Sequence, residues 1–112
     1  MARLVLNRAL VLETADQLPD GAGGYSQTWR ALGTLWAAVE PRSGREREKE
    51  AVGTAKVDYR ITVRALPQGS AARPQSGQRF RDGTRVFRIM AVADRGADGR
   101  YLTCFSTEEV AA

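Results

Sequence analysis

Residues 56 to 65, "KVDYRITVRA", alternate without a break: Val57, Tyr59, Ile61, Val63 and Ala65 take one face, and Asp58, Arg60, Thr62 and Arg64 the other. Successive side chains of a strand point to opposite faces, so this pattern fits a half-buried β-strand. Its apolar face needs partners of the same kind, and the rest of the chain supplies them. "LVLNRALVLE" (residues 4–13) is aliphatic and runs into "TADQLPDGAGG", a Pro/Gly-rich loop signal. "YSQTWRAL" sets Tyr25, Gln27, Trp29 and Ala31 against Ser26, Thr28, Arg30 and Leu32. After Gly33, "TLWAAVE" sets Leu35, Ala37 and Val39 against Trp36, Ala38 and Glu40, and Pro41 ends the pairing by removing a donor. "QRFRDGTRVFRIMAVAD" contains Asp82-Gly83, the signal of a tight hairpin with a type I′ turn. "RYLTCFSTEE" closes the series.

The expected fold is therefore all-β, a small barrel or sandwich of six to seven mostly antiparallel strands with long loops. At 112 residues one domain spanning 1–112 with one core is expected. Trp29 and Trp36 are expected to pack in that core and its hairpins. Cys104, between Thr103 and Phe105 in the last strand, is expected to be a small inert buried residue.

Several function classes are excluded by what the chain lacks. It has one cysteine and no histidine, so intrachain disulfides, most zinc sites and imidazole-based nucleophile systems are ruled out. The carboxylates Asp82, Asp94, Asp98, Glu108 and Glu109 have no spacing that marks an acid/base pair or a metal site. Gly21, Gly23 and Gly24 do not lead into a helix with Lys-Ser or Lys-Thr, so a phosphate loop is not expected. No catalytic, cofactor-binding or metal-binding residue is assigned, and no enzyme activity. No apolar run approaches the roughly 18 residues of a membrane span. The chain reads as soluble and unprocessed, without a membrane partner.

The stretch "TLWAAVEPRSGREREKE" changes from apolar to charged at Pro41. Ser43 and Glu46 have the spacing of a capping box, and Gly53 could close a left-handed C-terminus, so a short helix is expected near 43–52. Two turns are not stable alone in water. The charges nearly cancel: Arg42, Arg45, Arg47 and Lys49 face Glu46, Glu48 and Glu50. A solvated crossing between strands is one reading. The other is an arm ordered on a neighbouring subunit, with Arg42, Ser43, Arg45, Glu46, Arg47, Glu48, Lys49 and Glu50 as its contact residues.

The net charge is +4, and much of the basic excess falls between residues 60 and 88. Arginines at 60, 64, 73, 79, 81, 85 and 88 stand against a single carboxylate, Asp82. Arg60, Arg64, Arg73, Arg79 and Arg81 are the candidate contacts to DNA in a channel or to a protein partner. Tyr59, Phe80 and Phe87 could stack on bases, although alternating strand aromatics usually belong to a core.

Four motifs in order resemble the head-tail joining, or head-closure, proteins of tailed bacteriophages and gene transfer agents. They are the strand end Trp36 to Pro41, the Ser-Gly-Arg-Glu element at Ser43 to Glu46, the Ile-x-Val-Arg strand at Ile61 to Arg64, and the stretch Arg79 to Ile89. "DGAGGYSQTW" is similar to the family's first hairpin, and the likeness extends over about residues 8 to 109. The resemblance implies a β-barrel subunit that closes the DNA-filled head as a homo-oligomeric ring, six-fold or twelve-fold. Its partners would be the portal adaptor protein, a tail terminator or tail tube protein, and packaged double-stranded DNA, in a virion assembled in the bacterial cytoplasm. It also implies that the loops at 16–24 and 66–78 are mobile connectors and that 43–50 touches a neighbour. The two rival readings are a nucleic-acid-binding barrel of OB type and a tail-completion or terminator protein.

Overall fold

The computed structural model describes residues 4–42 and 54–111. Six strands follow in chain order: β1 (Arg8–Pro19), β2 (Tyr25–Pro41), β3 (Thr54–Arg64), β4 (Arg79–Asp82), β5 (Arg85–Arg95) and β6 (Tyr101–Ala111). They form a closed antiparallel barrel in the order β1-β2-β3-β6-β5-β4. Closure rests on three pairs between β1 and β4, Val11 with Arg81, Leu12 with Phe80 and Glu13 with Arg79. The expected helix near 43–52 lies outside the described residues.

Alternation explains the core. Leu10, Leu12, Ala37, Ile61, Val63, Phe80, Phe87, Ile89, Leu102 and Cys104 form one buried cluster drawn from all six strands. The odd positions of β3 point inward as expected, and Tyr59 meets Phe87 edge to face with ring centroids 5.1 Å apart. Cys104 is buried and free, and burial pushes its thiol up to about 12. Thiolate is the reactive form, so a thiol reagent at neutral pH should label the folded chain only after denaturant is added. Rapid labelling without denaturant would contradict the burial.

Gly33 was expected to separate two strands, but β2 is one strand of 17 residues. Leu12 pairs with Gly33 and Glu13 with Ala31, so Leu32 is an extra residue in the ladder. This bulge reverses the parity of β2. Leu35, Ala37 and Val39 face the core, whereas Ala31 and Trp29, at odd positions too, align with Glu13 and Ala15 on the outside. A second bulge frees Met90 between the pairs Ile89–Ser106 and Ala91–Phe105, which leaves Met90 exposed.

The two expected connectors at 16–24 and 66–78 carry internal hydrogen bonds. Residues 16–19 belong to β1 and pair with 25–28, so the first loop shrinks to a turn at 20–24. Asp20 holds it, its Oδ1 accepting from the amides of Ala22 (2.8 Å) and Gly24 (3.0 Å). In the second loop Pro74 is fully buried, and Ser70, Arg73 and Gln78 donate backbone bonds to Pro67, Ser70 and Gln75. The Arg73 guanidinium donates to the carbonyl of Leu66. A Cβ placed on Gly33 would lie 4.0 Å from the Cβ of Ala72, so this loop lies against the bulged part of β2. The 82–85 hairpin also differs from expectation. Asp82 pairs with Arg85, so Gly83 and Thr84 are central, and only Gly83 (φ 63°) has positive φ. That is the pattern of a type II′ turn, in which glycine leads.

Candidate assembly surfaces

The arginine-rich stretch does not form one basic patch, because folding brings acids from distant strands onto it. Glu13, buried on β1, receives Arg79 Nε at 2.7 Å and Arg81 Nε at 2.8 Å. Arg79 also lies over the Trp29 ring, 4.1 Å from its centroid. Glu108, buried on β6, takes both Arg85 Nε (2.8 Å) and Nη2 (3.0 Å), and the same Nη2 donates to the Tyr59 hydroxyl at 3.2 Å. Arg8 pairs with Asp82. Glu13 and Glu108 are 66 and 23 residues from Arg79 and Arg85 in sequence, so the linear charge count could not register them.

These pairs set the electrostatics. For Glu13, burial pushes the carboxyl up, but the hydrogen bonds from Arg81 and Arg79 together outweigh it and leave it below the ordinary range. For Glu108, the hydrogen bond from Arg85 dominates over burial and also holds the carboxyl low. Arg85 is correspondingly raised. Arg79, Arg81 and Arg85 are thus each paired within the subunit, with 22%, 40% and 41% of their side chains exposed. No carboxylate among the described residues pairs with Arg60, Arg64 or Arg88, and all three are exposed.

Two surfaces remain open. The first is a ribbon: six pairs, Thr14–Arg30 to Pro19–Tyr25, extend past the last β1–β4 pair with no third strand beside them. At about 3.3 Å per residue it reaches roughly 20 Å from the barrel. Arg30 and Asp16 pair along it at 2.8 Å, and Leu18 and Tyr25 are exposed near its tip. The second is the outer face of β2, β3 and β6. Trp36, expected in the core, is 61% exposed there, because it alternates with the inward Leu35 and Ala37. Leu6, Trp36 and Arg64 line a shallow open depression. Arg64 lies over Tyr101 and Arg42 over Phe105, 5.7 and 5.4 Å from the ring centroids. The Arg42 amide donates to Asp58 O at 2.9 Å. Ser43, Arg45, Glu46, Arg47, Glu48, Lys49 and Glu50 lie outside the described residues.

The sequence matches the phage head completion protein family over residues 1–109, nearly its whole length. The chain belongs to that family. A solved chain titled "Virion of native gene transfer agent (GTA) particle" is 54% identical, with 98% of this chain and 100% of that chain covered and a TM-score of 0.85. No curated protein is significantly similar to it. Family membership accords with the all-β architecture and accounts for the order of motifs from Trp36 to Ile89. It also fits a subunit whose buried charges are self-paired while a ribbon and a sheet face stay open. Among the described residues there is no group of three or more His, Cys, Asp or Glu that could hold a metal ion, and no helix long and apolar enough to cross a membrane.

Proposed function

We propose that this head completion protein is a structural virion component that forms a ring closing the DNA-filled head and joins the portal side to the tail. The observation that carries the reading is the 54% identity, over 98% of the chain, to a chain of a gene transfer agent virion. A ring of identical subunits needs two different, complementary patches per copy. The β1–β2 ribbon and the outer β2–β3–β6 face are two such patches, and the segment Arg42 to Glu50 is a third contact to a neighbour. Portal adaptor, tail terminator or tail tube protein, and packaged DNA are the partners. Arg60 and Arg64 are free to meet one of them. Arg73, Arg79 and Arg81 are committed to Leu66 O and Glu13 and act within the subunit.

Electron microscopy of particles from cells lacking this gene tests the reading. Full or leaking heads beside separate, finished tails are expected. Normally joined particles would overturn the closure role and favour the nucleic-acid-binding barrel instead.

A further inference from the structure

The register across the outer face places three rows of side chains side by side. Glu40 faces Arg60, Arg60 faces Phe105, and Phe105 faces Ala91. The next row is Ala38, Thr62, Thr103 and Ala93, and the third is Arg64, Tyr101 and Arg95, with Trp36 extending it beside Arg64. The middle row is built of small residues, and Ala38, Thr62 and Thr103 are buried. Long side chains therefore flank a short-side-chain floor and cover most of it, and the groove stays open where Leu6, Trp36 and Arg64 line it. Thr62 Oγ1, in that floor, is the one buried side-chain polar atom among the described residues without a hydrogen-bond partner. That atom is closed off from the surface, so what a partner can meet is the groove itself. Its walls carry Trp36, Tyr101 and arginines, the residue types that anchor protein interfaces.

The ribbon tip has the opposite character. From Gln17 to Thr28 the only charged residue is Asp20. Its Oδ1 is occupied by the turn amides, and no hydrogen bond is formed by its Oδ2 among the described residues. On one face of the ribbon the pairs Pro19–Tyr25 and Gln17–Gln27 put a 69% exposed tyrosine beside two amides. The barrel touches only the base of the ribbon, through Arg79 over Trp29 and Gln78 on Thr14, and a free two-stranded hairpin is marginal in water. The tip is singly negative and aromatic; the row of Trp36, Arg64, Tyr101 and Arg95 is positive and aromatic, with Glu40 on the opposite wall.

We propose that the tip of the β1–β2 ribbon of one copy docks in the outer β2–β3–β6 groove of the next copy, with Tyr25 against Trp36 and Asp20 beside Arg64. The contact is heterologous, since the tip and groove are different surfaces, and it therefore propagates around a closed ring rather than stopping at a pair. It rests on the ring reading above. The charge pairing adds orientation, and the two exposed aromatics supply the buried area.

The test places Tyr25→Cys and Trp36→Cys together in the full chain and examines purified particles after mild oxidation. Cys104 is buried and stays silent. A ladder of covalently joined copies is expected only when both cysteines are present. As an independent measurement, Asp20→Asn keeps the turn-capping oxygen while removing the charge. Asp20→Asn and Arg64→Gln should each lower particle yield about tenfold, and the double variant no further. Melting curves of the purified single variants establish that the fold is retained. A ring seen in the particles with no ladder, and with additive losses, would overturn the docking while leaving the ring reading intact. A crosslink from Tyr25→Cys to a different virion protein would likewise overturn it. Particles that carry the chain without any ring would overturn both.

Discussion

Replacing Phe87 with alanine is expected to lower the unfolding free energy by about 3–5 kcal/mol, whereas Trp36→Ala should change it by about 0.5 kcal/mol or less. Phe87 is fully buried, contacts Tyr59 edge to face and lies under the Arg85 guanidinium, 4.9 Å from the ring centroid. Truncation leaves a cavity where three strands, β3, β5 and β6, converge. Trp36 is the larger side chain, but 61% of it already meets water, so little burial is lost with it. Urea denaturation followed by far-UV circular dichroism measures both. Equal destabilisation by the two changes would contradict the inward and outward assignment of β2. The two variants should also part in assembly, since Trp36→Ala leaves a folded subunit with a weakened groove.

Acid is expected to destabilise the fold through two buried carboxylates. Glu13 and Glu108 are both held below the ordinary carboxylate range. A carboxyl with a depressed folded value stabilises the native state above its unfolded value, about 4.3. That contribution is lost as pH falls from there through the folded value. Stability should therefore be flat with respect to these two groups above about pH 5 and decline below about pH 4. Glu108→Gln should cost about 2 kcal/mol at neutral pH, discounted because the Arg85 side chain is 41% exposed and recovers water. Glu13→Gln leaves both Arg79 and Arg81 without a counter-charge, and a similar loss is expected. The double variant should show a flatter acid limb than the unaltered chain in pH-dependent chemical denaturation. An acid limb unchanged by both substitutions would place the acid sensitivity elsewhere.

Much of the architecture was legible along the chain because strand alternation is a local property. The odd positions of 57–63, the hairpin at Asp82-Gly83 and the buried Cys104 needed only period-two reasoning and turn chemistry. The orientation of Trp36 was also within reach, since "TLWAAVE" placed it opposite Leu35, Ala37 and Val39. The expectation of a buried tryptophan overrode that pattern. The order of motifs resembled the family whose model matches residues 1–109.

What the chain by itself determined is its β character, the inward set of each regular strand, and the absence of histidine and of a second cysteine. Only the tertiary structure decided which arginines remain free. Glu13 and Glu108 reach Arg79, Arg81 and Arg85 from other strands, and Coulomb attraction acts on distance in space, not along the chain. It also decided the two parity reversals, because one extra residue in a ladder flips every side chain after it. The packing of the loop at 66–78 is tertiary as well, since Pro74 is fully buried in it. Closure of the sheet through β1 and β4 leaves the β1–β2 ribbon as the part of the ladder with no third strand beside it.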